Sequence, residues 1–309
     1  MHVVLLDSDH DLRRYPFAHE SSAALLPVLE SSLLHRAVRW ARAGGAREVY
    51  FATRRNPAAD YRLASAVIEN ELRPVASLGE ALDRARRELR MDEPLLVMSA
   101  NLHHLPHFPS LMDQHMRGRQ AVTFVRGSSV SGPGLYSYGP PVMALCSPVV
   151  SRMMRFDDHP KPLPHLLRRV RERRLGSAGF DPDQRVLQID NSYALYHANL
   201  DVLSTEFVER TAATVLGLSQ ADARLWLAPG ANVGHVRVDP TGGPVIVGRG
   251  ATVEDGAILR GPTIVGAGSH VGGGSCLHRS LVLAESALPS RSWVANSVVS
   301  SRLRQRVAA

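Results

Sequence analysis

Aliphatic side chains recur at every sixth position through the last third of the chain: Val247, Val253, Leu259, Val265, Val271, Leu277 and Leu283. Leu227 and Val233 precede them at the same spacing, offset by a two-residue insertion around 239–243. The residue after the aliphatic is often small (Ala228, Gly234, Gly248, Gly266, Gly272). The fourth after it is small or β-branched (Ala231, Ala251, Ala257, Thr263, Ser269, Ser275). This period matches neither the alternation of a half-buried strand nor the turn of a helix. It fits a short strand plus a corner, forming one side of a triangular coil. The aliphatic residue points inward and stacks on its equivalents, the small residue fits beside it, and glycine or Asp/Asn-type residues take the corners, some at positive φ. No such unit is stable alone, so several coils must stack. Roughly nine units predict about three coils.

Residues 1–200 follow a different rhythm. Val3–Leu6, Arg47–Ala52, Leu95–Met98 and Ala121–Val125 read as short buried strands. Between them, Ser32–Ala43 carries helical spacing (Leu34, Val38, Ala41) and ends at Gly44-Gly45. Ser77 and Glu80 form a capping box ahead of a helix reaching Leu89, and another helix is predicted near Pro109–Met116. Strands separated by helices imply a mostly parallel sheet covered on both faces. Ligands in such sheets bind at the carboxyl ends of the strands.

Composition narrows the classes. A chain of 309 residues, 44% of them apolar, is long enough for two cores. No apolar run approaches the about 20 residues that a membrane helix needs, and the N-terminus carries no basic, long-apolar, small-residue leader pattern. Cys146 and Cys276 are too few for a disulfide framework or a zinc site, so a reducing, cytoplasmic setting is expected. The net charge of +7 comes from scattered arginines, with Lys161 the sole lysine. The densest run, 168–174, reads as the solvated face of a helix, so neither nucleic acid nor membrane is expected as a partner.

The hexads resemble the repeats of left-handed β-helix proteins, among them acyltransferases and the C-terminal domains of sugar nucleotidyltransferases. Two further segments resemble sugar-1-phosphate nucleotidyltransferases. One runs from Ala24-Leu25-Leu26-Pro27-Val28-Leu29 through Leu33-Leu34 to Ala43-Gly44-Gly45-Ala46-Arg47-Glu48-Val49. The other, Ala194-Leu195-Tyr196-His197-Ala198-Asn199-Leu200-Asp201-Val202-Leu203, looks like the helix joining their catalytic domain to the β-helix. These features come in the family's order and span almost the whole chain. The resemblance implies an α/β, Rossmann-like nucleotidyltransferase domain over residues 1–204, with the linker helix at 193–204. A left-handed parallel β-helix would follow over residues 205–309.

The family's reaction sends a sugar phosphate onto the α-phosphate of an NTP. It needs backbone N–H donors, cationic side chains and Mg²⁺ held by carboxylates. The family supplies a Gly-x-Gly-Thr-Arg loop after the first strand, a lysine before the Leu-Leu-Pro-Val segment, a metal-binding Asp after a central strand, an Asn-Ala-Gly sugar contact, a second lysine and a second metal-binding Asp. Here the loop is Asp7-Ser8-Asp9-His10-Asp11-Leu12-Arg13, with Asp9 and Asp11 where the glycines belong; Arg13 and Pro16 do match. Three carboxylates repel phosphate, at about 1 kcal/mol per close pair even in high dielectric. The first lysine position falls on Ala23, the central-strand Gly-Asp on Ala100-Asn101, and the sugar contact near Pro140-Pro141-Val142. Asparagine is a poorer Mg²⁺ ligand than a carboxylate, and Asp190 aligns with the second metal position.

The expectation is therefore a catalytically degenerate, nucleotidyltransferase-like protein with a scaffold or regulatory role in nucleotide-sugar or polysaccharide metabolism. Arg13, Asn101 and Asp190 would be vestiges of the catalytic set. Asp9, Asp11 and Arg13 would form a remnant nucleotide loop, and Asp190 would be a remnant metal ligand. A homo-oligomer or a complex with an active nucleotidyltransferase is expected, with a sugar nucleotide as possible ligand. No cofactor is implied unless the chain is an active nucleotidyltransferase, in which case Mg²⁺ is. A hexapeptide-repeat acyltransferase is the third reading, with His235, His270 or His278 as base. His103, His104, His107 and His115 suggest a metal cluster, but Pro106 and Pro109 interrupt any helix through them, leaving polar loop histidines. Asp7, Asp9 and Asp11 alternate like part of a calcium loop but lack its glycine and distal glutamate.

Overall fold

A computed structural model describes residues 1–7, 23–29, 31–53, 72–88, 90, 93–132, 135–153, 162–203, 218–222, 224–239, 241–301 and 304–307. The architecture is mixed α/β: one large sheet with helices on both faces, then three parallel sheets. The strands of the first part are β1 (His2–Leu6), β2 (Pro27–Val28), β3 (Ser31–Ser32), β4 (Glu48–Ala52), β5 (Arg73–Val75), β6 (Leu95–Ser99), β7 (Leu102–His103), β8 (Val122–Gly132), β9 (Leu135–Cys146), β10 (Ser177–Phe180) and β11 (Leu187–Gln188). The large sheet has the order β5-β4-β1-β6-β9-β8-β11-β7, with β10 beside β8. Strands β5, β4, β1 and β6 are parallel, and β9 runs against both β6 and β8.

Side-chain parity sorts the core. Val3, Leu5, Val49, Phe51, Leu96 and Met98 face α1 (Leu33–Ala43) and α3 (Phe108–Arg117). Val4, Leu6, Tyr50, Leu95, Val97 and Cys146 face α2 (Leu78–Glu88), α4 (Pro148–Met153) and α5 (Pro162–Glu172). The caps follow the sequence. The Ser32 hydroxyl accepts from the His35 N–H, and Ser77 accepts from the Glu80 N–H, while the Glu80 carboxylate accepts from the Ala76 N–H. In α5, Leu163, Leu166 and Val170 are buried, and the basic run turns outward.

Beyond residue 218 the chain visits the three parallel sheets in turn. One contains Leu225–Leu227, Val245–Val247, Thr263–Val265, Leu281–Val282 and Ser297–Val299; the next Asn232–Val233, Thr252–Val253, His270–Val271 and Ala287–Leu288; the third Arg237–Val238, Ile258–Arg260, Cys276–His278 and Trp293–Ala295. Val247, Val253, Leu259, Val265, Val271 and Leu277 stack inside, as the hexads predict. The register then slips by one residue. Val282, not Leu283, pairs with Val265 and joins the interior stack, followed by Leu288, Val294 and Val299, while Leu283 packs outside it. The corner after Cys276–His278 is one residue shorter than the hexad allows, and the stacking runs past the expected three coils to Val299. Glycine at the inward shoulder is required by close approach: a Cβ on Gly266 would lie 2.5 Å from the Ala284 backbone nitrogen. Later corners reach positive φ without glycine, at Arg279, Glu285, Arg291 and Asn296. Serine hydroxyls stitch successive turns, Ser269 donating to the Leu283 carbonyl and accepting from the Ser286 N–H. Antiparallel strands Ser219–Asp222 and Arg304–Arg306 close both ends of the first of these sheets.

The two parts meet at α6 (Ser192–Asp201), the helix anticipated at 193–204. Outward-facing Trp226, Ile246, Ile264, Leu281 and Val298 form a register ladder across the first parallel sheet. They pack with Ala194, Leu195, Tyr196 and Ala198 of α6 and with Leu26, Val28 and Leu29. Asn199, fully buried inside this cluster, accepts from the Leu29 N–H at 2.8 Å and donates to the Pro27 carbonyl at 3.1 Å and the Leu195 carbonyl at 3.0 Å. Tyr196 donates to the Arg279 carbonyl at 2.9 Å. The two segments that carry the family resemblance are thus joined by one amide. Asn199→Ala orphans a buried N–H and carbonyl, and we expect a loss of about 2–4 kcal/mol, read as a lowered urea midpoint at unchanged m; a loss within experimental error would contradict this role.

Candidate functional site

The parallel strands deliver a row of polar groups at their carboxyl ends. Asp7 follows β1, and its N–H donates to the Ala52 carbonyl. Thr53 follows β4, and its hydroxyl donates to the Asp7 carboxylate at 2.8 Å. The Ala100 N–H after β6 donates to the Leu6 carbonyl, holding Asn101 beside the end of β1. Asp9, Asp11 and Arg13, the remnant loop expected from the sequence, lie outside the described residues, as does Lys161.

The structure brings Asn101 and Asp190 together through Ile189. The Asn101 amide N–H donates to the Ile189 carbonyl at 2.8 Å, and the Ile189 N–H donates back to the Asn101 carbonyl at 2.9 Å. Asn101 is 1% exposed, and its side-chain oxygen is enclosed without a hydrogen-bond partner. Both Asp190 oxygens accept from the Ser129 hydroxyl, at 3.0 and 2.8 Å, and one also accepts from the Asn191 amide at 2.8 Å. Asn191 in turn donates to the Val130 carbonyl and caps α6 by accepting from the Ala194 N–H. The two residues thus fasten the β11 segment to the ends of β6 and β8. A neutral amide and one carboxylate already engaged by protein donors make a weak cradle for a hard dication, which prefers several anionic oxygens.

A second concave region went unrecognised in the sequence. A cleft of about 380 Å³ opens beside β8 and β10, lined by Arg126, Arg171, Arg185, Phe124, Tyr138 and Phe180 among others. The Arg185 guanidinium lies 5.1 Å from the Tyr136 ring centroid and 5.9 Å from that of Tyr138. A cleft lined by three arginines beside one acid, Asp181, suits a phosphate or carboxylate ligand. The alternation of Tyr136 and Tyr138 along β9 was the available signal; Arg171 was hidden in a run read as solvated helix surface.

The histidines do not form one group. His115 is buried, its Nδ1 2.8 Å from the Thr123 hydroxyl, and burial lowers its pKa. His107 precedes α3, with Nδ1 2.9 Å from the Ser110 hydroxyl. His103 and His104 lie together beside Asp201. In the coil, His270 pairs with Glu254 at 3.0 Å on the exposed surface, and the His235 N–H donates to Asp255. Trp40 is a packing residue, its indole N–H donating to the Pro106 carbonyl and its ring meeting Phe108 edge-on. Among the described residues no helix is long and apolar enough to cross a membrane. No family model and no curated protein matches the chain.

The environment of Asn101 generates a sharp expectation. Asn101→Asp replaces a donor to the Ile189 carbonyl with a buried acceptor, costing about 2–4 kcal/mol near neutral pH. Burial raises the pKa of the new carboxyl, so the penalty shrinks as pH falls through that raised value. Urea titrations at pH 7 and pH 5 measure both effects; a neutral substitution would show that position 101 tolerates a metal-ligating carboxylate.

Proposed function

We propose that the chain is a catalytically degenerate member of the sugar-1-phosphate nucleotidyltransferase type, acting as a scaffold or regulatory subunit in nucleotide-sugar or polysaccharide metabolism. Its first part, residues 1–204 with the linker helix, is read as a Rossmann-like nucleotidyltransferase domain. Residues 205–309 are read as a left-handed parallel β-helix. The order of sheet, Leu-Leu-Pro-Val segment, linking helix and parallel coil supports this reading, as does the meeting of the two resemblance-bearing segments at Asn199. The single observation that carries the loss of chemistry is Asn101. It stands where the family places a metal-binding Asp, and it spends its amide donor on the Ile189 carbonyl.

A role through association is supported by apolar exposure. Tyr138 on β9 is 72% exposed, and Trp293 is 60% exposed on a strand that, among the described residues, pairs on one side only. Either a second copy or an active nucleotidyltransferase is the partner of this proposal.

Purified full-length chain incubated with each NTP, a set of sugar 1-phosphates and Mg²⁺ should release no pyrophosphate above background. An intact nucleotidyltransferase from the same cell should co-purify and change activity when the chain is removed. Robust turnover by the chain alone would overturn the degenerate reading. It would favour instead an active nucleotidyltransferase with rebuilt cation chemistry, for which Arg126, Arg171 and Arg185 are the candidate groups. In that case Arg171→Ala combined with Arg185→Ala should abolish the turnover.

A further inference from the structure

His103 is the least explained polar side chain among the described residues. It is 1% exposed, and neither ring nitrogen has a hydrogen-bond partner. A buried imidazole in that state forfeits the protein partners that such groups normally find. Burial pushes its pKa down to about 3.

The backbone aims its neighbour at the same place. Successive residues of an extended strand point to opposite faces. His103 closes β7, and His104 then adopts φ of +55°, a left-handed conformation uncommon for a residue other than glycine. That twist breaks the alternation and folds the two rings against each other, with centroids 3.9 Å apart. Strain of this kind concentrates at functional sites. From the far side, α6 presents Asp201, whose carboxylate lies 2.6 Å from His104 Nε2. That hydrogen bond is the main reason the Asp201 pKa is lowered. Ligand atoms of His103, His104 and Asp201 all lie within 4.8 Å of one another. Ligands of a tetrahedral zinc ion sit roughly 3.3 Å apart, given Zn–N distances of about 2.0–2.1 Å. Side-chain rotations that close the triad around an ion are therefore small.

We infer that His103, His104 and Asp201 form a binding site for a first-row transition-metal dication, with zinc the best chemical fit, which clamps the β7 turn to the end of α6. Two imidazoles and one carboxylate suit zinc rather than Mg²⁺ or Ca²⁺, which prefer all-oxygen shells. His197 lies one helical turn before Asp201, on the same side of α6. Its Nδ1 is buried without a partner, while Nε2 meets the Tyr136 hydroxyl at 3.1 Å. An oxygen partner on one ring nitrogen is the arrangement that orients the other toward a metal, making His197 a candidate for a fourth ligand from outside the group of three. The positive charge of Arg36 on α1 also reaches His103, and its influence there exceeds that of the Asp201 carboxylate.

The test uses the full-length protein stripped of metal with a chelator and titrated with Zn²⁺ by calorimetry, with Co²⁺ as a visible-absorption probe of coordination. One ion should bind per chain, and Co²⁺ should give the intense bands of a tetrahedral site. Losing even an outer-shell partner costs about 10–100-fold in affinity, so His104→Ala and Asp201→Asn should each weaken binding at least that much. Both positions are partly exposed, so these variants should keep the wild-type circular dichroism, whereas His103→Ala opens a buried cavity. His107→Ala, outside the triad, should bind as wild type does. Absence of saturable binding by the folded protein, or an equal loss in His107→Ala, would overturn the assignment.

Discussion

The structure depends on covering one apolar ladder. A parallel coil satisfies its interior with the stack from Val247 to Val299, but its first sheet also turns Trp226, Ile246, Ile264, Leu281 and Val298 outward. Leaving such side chains in water would forfeit roughly 1.5–3 kcal/mol each. Helix α6 covers them, and because it also meets Leu26, Val28, Leu29 and Val130, most of the helix is buried, with Asp201 at its exposed end. A helix of that kind is stable only when enclosed. One apolar cluster, with α6 as its middle layer, therefore joins the first part to the outer face of the coil, beside the separate clusters on the faces of the large sheet and inside the coil.

That constraint explains the use made of the polar groups near the sheet's carboxyl edge. The chain must leave β11, turn and enter α6 at a fixed angle. Asn101 grips the Ile189 backbone, Ser129 and Asn191 grip Asp190, Asn191 caps the helix, and Asn199 holds the 26–29 loop against it. In an enzyme of the resembled type the corresponding carboxylates must stay free for a metal and phosphates. Here the same region is occupied by hydrogen bonds internal to the protein. Structural fastening and metal-assisted phosphoryl transfer make opposite demands on these positions, and the proposed function takes the contacts present as serving the first.

The interior stack of the coil was legible because a single period links sequence to geometry: every sixth residue returns to the axis. The slip that replaces Leu283 with Val282 was not, since a corner one residue shorter leaves the local composition unchanged. The helices of the first part were readable from Ser32, Ser77 and Glu80, whose caps form largely as expected. Strand β8 was readable only in part. It continues past the predicted Val125 to Gly132 through a serine-rich stretch without strand-forming pattern, because its pairing with β9 overrides local propensity. Asn101 and Asp190 were singled out from the sequence, but what joins them is Ile189, which is apolar and carries no chemical signal. The meeting of His103 and His104 with Asp201 was illegible for a different reason. It requires a left-handed residue at position 104 and a contact across 97 residues, neither of which leaves a local pattern.

Native-state hydrogen exchange resolved by residue tests the shared core most directly. If α6 is its middle layer, the amides of Leu195, Tyr196 and Asn199 should open with the same free energy as those of Leu96 in the central strand and Ile264 in the coil, all reporting global unfolding. If α6 exchanged through a smaller opening while Leu96 and Ile264 stayed protected, the two parts would be independently stable, and the account of α6 as the layer that binds them into one cooperative unit would be wrong.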